Sequence, residues 1–141
     1  MADEQPPELD DEVLVFAARM FDLARSGDTA ALAAYVDAGL PVNLTNAKGD
    51  SLLMLAAYYD HPETVQALLE RGADTGRVND RGQTALSAAV FRRSADGVES
   101  LLKGGADPAL GSPNAIETAR FFEYPDILEL LEDPAAGGPA A

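Results

Sequence analysis

The chain has 141 residues, no cysteine, one histidine and a formal net charge of −14 at pH 7. The missing cysteine excludes disulfides, thiol catalysis and cysteine-ligated metal, and the excess of acids argues against binding nucleic acid, whose phosphates attract lysine and arginine. The length suits one domain, and no apolar run approaches the roughly 18 residues that a membrane span requires.

The N-terminal region predicts an acidic arm followed by a pair of helices. Residues 1–10 combine acids, prolines and few apolar groups, a composition typical of disorder. Asp10 or Asp11 can cap a helix that begins at Val13, and Asp28 can cap a second helix after a glycine break. Apolar residues at helical spacing predict the buried face of the first helix, namely Leu14, Phe16, Ala17, Met20, Phe21, Leu23 and Ala24.

The middle of the chain repeats itself. Residues 46–78 come back as residues 79–111, because Gly49 and Gly82 stand about 33 residues apart and the later columns keep that period. Each copy contains a Leu-x-x-Ala segment and a Leu-Leu-x-x-Gly-Ala-Asp segment. The predicted helices span 51–59 and 62–71 in the first copy, and 84–92 and 95–103 in the second.

The last unit follows the same columns less closely. Ile116 to Ala119 match the Leu-x-x-Ala segment, and Pro125 matches Pro62 at the start of a second helix. Glutamates on its outer face suit the polar surface that a terminal repeat requires. Residues 134–141 predict a disordered tail. The expected core residues of this unit are Ile127, Leu128, Leu130 and Leu131.

These columns resemble those of the ankyrin repeat, whose signature is T-P-L-H-x-A. Here the signature reads Ser-Leu-Leu-Met-Leu-Ala at 51–56 and Thr-Ala-Leu-Ser-Ala-Ala at 84–89, without the proline and the histidine. The resemblance, to a small bacterial-type ankyrin protein, implies an all-α solenoid of about four helix-pair repeats with short finger loops. It places a repeat domain at 11–133, with a cap repeat at 11–45, repeats at 46–78 and 79–111, and a cap repeat at 112–133.

The side chains present do not suggest an enzyme. His61 falls in the column that starts each second helix, where we expect it to cap and pack. Pairs of acids such as Glu129 and Glu132 are typical of a solvated helix face. The glycines recur with the repeat, and no phosphate-binding motif is present. We therefore expect no catalytic residue, no metal ligand and no cofactor.

The resemblance also implies a binding face. In ankyrin repeats, the ends of the first helices and the fingertips line a concave surface on which partner proteins commonly dock. Aromatic and arginine side chains dominate interface hot spots, so we place the centre at Tyr58, Tyr59, Phe91 and Arg92. The alternative for some rings, above all Phe122, is a place in the core. The expected partner-binding residues are Arg25, Lys48, Asp50, Tyr58, Tyr59, Arg81, Gln83, Phe91, Arg92, Phe121 and Phe122.

Two functions stay open at this stage. The leading hypothesis is a non-catalytic, cytoplasmic module that binds another protein, is monomeric when free, and binds neither nucleic acid nor a membrane. The alternative is an acidic regulator that engages a basic partner as a nucleic-acid mimic would. High salt should dissociate a charge-driven complex, whereas a complex held in the groove by aromatic rings should survive. The acids that suggest the alternative are Asp3, Glu4, Glu8, Asp10, Asp11 and Glu12.

Overall fold

The computed structural model describes residues 11–133, which form an all-α stack. The predicted acidic arm and the predicted tail lie outside the described residues. Within them, no helix is long and apolar enough to cross a membrane. The helices are α1 (Asp11–Ser26), α2 (Thr29–Asp37), α3 (Leu52–Tyr58), α4 (Pro62–Glu70), α5 (Ala85–Phe91), α6 (Ala95–Lys103), α7 (Ala115–Phe121) and α8 (Pro125–Glu132).

The helices pack as pairs in two layers. α1, α3, α5 and α7 follow one another in one layer, and each contacts its partner of the second layer, α2, α4, α6 or α8. Leucines at matching columns join the pairs, since Leu53, Leu68, Leu86 and Leu101 are all almost completely buried. The predicted helix-pair solenoid is therefore confirmed.

Side-chain caps set where the first helices begin. Ser51, Thr84 and Asn114 each accept a hydrogen bond from the backbone N–H three residues on, at 3.1, 3.0 and 2.8 Å. Thr84 and Asn114 complete capping boxes in which the third helical residue bonds back to the cap. Because these bonds satisfy N–H groups that the helix leaves free, they align α3, α5 and α7 at equivalent columns.

His61 starts α4 and packs against its neighbours as expected, but its side chain does not cap the helix, which corrects that part of the expectation. Its side chain makes no bond to the first turn of α4. Instead, Nε2 lies 2.7 Å from the carbonyl oxygen of Arg25, so the ring N–H donates to the end of α1. The ring also fills the space beside Gly27, where an added Cβ would lie 2.5 Å from Nδ1. His61 therefore joins two successive repeats.

The first helix differs from the prediction in start and in burial. α1 already includes Asp11, which lies in its first turn and does not cap a helix at Val13. Leu14 and Phe16, both predicted to be core, are exposed, whereas Met20, Phe21 and Ala24 are buried as expected. The reason is length: α1 has 16 residues and α3 has 7, so the start of α1 extends past the helices that would cover it.

Ion pairs connect neighbouring helix pairs. Arg71 binds Asp37 at 2.9 Å, and Arg93 binds Asp126 at 3.2 Å. The hydrogen bonds from these guanidinium groups lower the pKa of both aspartates below the usual value. A depressed folded-state pKa means that this stabilisation is present at neutral pH and is lost as the pH falls through that pKa. Both aspartates and Arg93 are exposed and Arg71 is only partly buried, so each pair stabilises the stack only weakly.

Candidate functional site

A groove runs between the ends of the first helices and the finger loops. It consists of two adjoining hollows, of about 420 and 670 Å³, which share Tyr58, Gln83 and Ala88. The smaller hollow lies beside the fingertips at 46–50 and 79–83, and the larger one lies beside α5 and α7. Together the hollows extend over all four helix pairs, from Arg25 at the end of α1 to Phe121 at the end of α7.

The structure brings nearly all the predicted site residues together. Arg25, Lys48, Asp50, Tyr58, Tyr59, Arg81 and Gln83 line the smaller hollow, and Phe91, Phe121 and Phe122 line the larger one. Arg92 lies outside both hollows. It was predicted at the centre, but it is the exposed residue at which α5 ends, one position beyond Phe91.

A row of aromatic rings follows the groove; this aromatic row comprises Tyr59, Tyr58, Phe91, Phe122 and Phe121. Tyr58 stacks on Phe91 with an interplanar angle of 8° and ring centroids 5.7 Å apart. Phe91 meets Phe122 edge-to-face at 5.6 Å. The rings are between 37% and 79% exposed, so none of them is a core residue. Ring contacts of this kind hold each side chain in place before any partner arrives.

The row changes column at its end, which the repeat pattern did not predict. Phe121 corresponds to Phe91, yet the ring that contacts Phe91 is Phe122. Phe122 also stacks on Tyr124 at 5.6 Å, and the guanidinium of Arg93 lies 4.7 Å above the Tyr124 ring. Phe121 meets Phe122 edge-to-face at 5.0 Å and is 79% exposed. Tyr124 and Arg93 therefore pack against the end of the aromatic row. The sequence features that could have indicated this are the position of Tyr124 two residues after Phe122 and the position of Arg93 just before α6.

Asp50 has a different position from the one predicted. The sequence placed it on the surface of a fingertip, but the structure buries it, and its carboxylate accepts a 2.8 Å hydrogen bond from Asn79 Nδ2. Asn79 Nδ2 also donates to Gln83 Oε1 at 2.9 Å. Its Oδ1 accepts from the backbone N–H groups of Arg81 and Gln83, both at 2.9 Å. Asn79 thus ties one fingertip to the next. The sequence feature that could have predicted this role is that Asn79 recurs one period after Asn46.

The comparison with known families decides the identity of this fold. The model for ankyrin repeats matches residues 15–111 in three copies. The chain belongs to the ankyrin repeat family. The fourth helix pair, α7 and α8, lies beyond the matched residues, in keeping with its less regular columns.

A bacterial relative shares part of this ankyrin sequence. Over 66 residues the chain is 52% identical to a Pseudomonas aeruginosa protein that is named for its ankyrin repeats. The match covers 47% of this chain and 39% of that protein, so the chain spans less than half of the relative's length. Ankyrin repeats generally serve as non-catalytic modules for protein–protein interaction.

The ankyrin fingertips carry unpaired positive charge. Within residues 11–133, Lys48 and Arg81 have no ion pair, whereas Arg25 binds Asp22 at 2.8 Å. Lys48 and Arg81 are exposed at the mouth of the smaller hollow. Asp80, also exposed, lies next to Arg81 in the same fingertip. These two cations therefore form a local positive surface on a chain whose net charge is −14.

Asn79→Ala is expected to lower the free energy of unfolding by about 1–3 kcal/mol, because it leaves buried Asp50 without its short hydrogen bond. Urea denaturation measures this change. Asn46→Ala is the matched control: it removes the same two bonds to backbone N–H groups, but its amide reaches Asp50 only at 3.4 Å. Equal losses in the two variants would show that the bond between fingertips does not contribute.

Proposed function

We propose that this chain is a cytoplasmic, non-catalytic module that binds a partner protein in the groove, with the fingertips as a second contact. The observation that carries the proposal is the aromatic row, which stays partly exposed across three helix pairs. A free monomer rarely exposes a continuous apolar surface, and such surfaces commonly mark interaction sites.

The aromatic row has the features of an interface anchor. Tyr and Phe rings offer a large apolar area with few rotatable bonds, so ordering them on binding costs little entropy. Here the loss is smaller still, because Tyr58 and Phe91 are already stacked in the free protein. Hot spots typically lie at such preformed rings.

The two hollows differ in character, which suggests the kind of partner. The larger hollow is bordered by Phe91, Phe122 and Pro113 and suits an apolar side chain. The smaller hollow has Lys48 and Arg81 at its mouth and suits a carboxylate. We therefore infer a partner segment that places an apolar anchor beside acidic residues.

The test is capture of a partner from lysate of the native cell, followed by affinity measurement with the purified partner. Tyr58→Ala/Phe91→Ala is expected to weaken binding by about tenfold or more for each ring. Both side chains are exposed, so circular dichroism should show an unchanged fold. Val78→Ala is the matched control, since it removes an exposed apolar side chain that lines neither hollow.

Charge variants separate the proposal from the acidic-regulator alternative. Lys48→Glu/Arg81→Glu should weaken binding of a partner with acidic residues, and a moderate rise in salt should reduce the difference from the unmodified chain. A partner that the Tyr58/Phe91 variant still holds, and that high salt releases, would overturn groove binding in favour of the alternative.

A further inference from the structure

A second exposed apolar surface lies at the start of α1. By the repeat columns, Arg19 corresponds to Leu52, the first residue of α3, so residues 11–18 extend about two turns beyond the stack. We call these residues the α1 overhang. In α3, by contrast, the residues from Leu52 to Ala57 are all buried. The large exposed apolar side chains of the overhang are Val13, Leu14, Val15 and Phe16.

The helical positions of these residues separate them into two groups. Val13 and Leu14 lie on the same side of α1 as its buried residues, whereas Val15 belongs to an outward strip. Met20, Phe21 and Ala24 mark the buried face of α1, and at 100° per residue Val15 lies opposite them. Val15 is 64% exposed, the most of the four. Phe16 lies beside the strip, and its ring meets Tyr35 of α2 edge-to-face at 5.4 Å.

Charges flank Val15 in a definite order. Glu12 lies one turn before it and Arg19 one turn after it, on the same face. Both are exposed, and neither has an ion pair within the described chain from Asp11 to Asp133. With Asp11, Val15 and Phe16, these two residues border a shallow depression of about 340 Å³. The strip therefore reads acidic, apolar, basic along the helix.

We propose that the α1 overhang is the contact between two copies of this chain. A strip with this order is complementary to its own reverse, so two α1 helices can pair antiparallel about a twofold axis near Val15 and Phe16. In that register Arg19 of each copy faces Glu12 of the other, and Val15 faces Phe16. A twofold arrangement forms both ion pairs at once, which favours a second copy over an unrelated partner.

The dimer is expected to be weak. A strip of about two helical turns buries much less than the roughly 800 Å² per partner of a standard interface. We expect a dissociation constant on the order of tens of micromolar or weaker, increasing with salt because the pairs are exposed. This inference differs from the sequence-based expectation of a monomer, and it does not depend on the function of the groove.

The experiment is sedimentation equilibrium of the full chain over a concentration series, with circular dichroism as the check on folding. Val15→Asp should weaken self-association by at least about tenfold, because it puts a carboxylate at the apolar centre of the strip. Arg19→Glu alone and Glu12→Arg alone should each weaken it, and the double swap Glu12→Arg/Arg19→Glu should restore it. An equimolar mixture of the two single variants should form a heterodimer, because the two glutamates of one variant then face the two arginines of the other.

Three results would overturn the proposal. The first is a chain that stays monomeric at every concentration. The second is a dimer that Val15→Asp leaves unchanged but Tyr58→Ala/Phe91→Ala dissociates, which would place the contact in the groove. The third is a monomer that associates only after residues 2–10 are removed, which would show that the chain's own N-terminal segment covers the strip.

Discussion

Leu68→Ala is expected to lower the free energy of unfolding by roughly 2–5 kcal/mol. Leu68 is 1% exposed and lies in the shared core on α4, which packs against α2, α3 and α6. Removing its side chain leaves a cavity in the shared core, and the cost depends on how little the surrounding helices can collapse into it. Chemical denaturation followed by circular dichroism measures the change.

The next residue supplies the control. Leu69 lies on the same helix but is only partly buried, so Leu69→Ala removes the same atoms from a site that solvent already reaches. We expect a clearly smaller loss there. If Leu68→Ala costs no more than Leu69→Ala, then the assignment of Leu68 to the continuous core is wrong.

Gly82→Ala is expected to destabilise the chain by about 2–4 kcal/mol and to disturb the groove at the same time. Gly82 has a φ of +79°, a conformation that side chains with a Cβ rarely adopt. An added Cβ would also lie 2.8 Å from the carbonyl oxygen of Ser112, which is backbone and cannot rotate away. The chain can relieve this contact only by moving the fingertip at 79–83 away from the loop that precedes α7.

Gly72→Ala separates the two causes. Gly72 has a similar φ of +88°, but an added Cβ would meet nothing within 4 Å. It should therefore show only the conformational cost of about 1–2 kcal/mol. Thermal melts of both variants, together with near-ultraviolet circular dichroism of the groove tyrosines, test the difference. Identical melts and spectra would mean that the loop around Ser112 moves aside at no measurable cost in stability, which would contradict this prediction.

The repeat columns predicted the fold because they record packing directly. Leu-x-x-Ala and Leu-Leu-x-x-Gly mark the buried face and the end of each helix, and these positions recur with the period of the stack. The same columns failed for Leu14 and Phe16. Periodicity shows which side of a helix is apolar, but burial also requires a neighbour, and α3 is too short to supply one.

The sequence indicates which residues line the groove, but not how their side chains are arranged in it. Column counting placed Tyr58 and Phe91 at the ends of two regular helices, and both line the groove, while their part in binding stays a prediction. It could not predict that Phe122 would meet Phe91 in place of Phe121, because that depends on how α7 is oriented against α5, which the repeat columns do not record. Nor could it assign Asp50, whose burial follows from a bond to Asn79 in the next repeat.

The contacts of His61 bear on how this array can change in length. The ring bonds the Arg25 carbonyl and fills the space beside Gly27, but the corresponding residue one period later is Ser94, a helix cap. Excising residues 46–78 would set Ser94 against Gly27 and leave that carbonyl without its donor. Duplicating the same residues would set a second His61 ring against Asp60, which carries the Cβ that Gly27 lacks. The junctions are therefore specific to their neighbours, and gain or loss of a repeat here would need compensating substitutions on both sides.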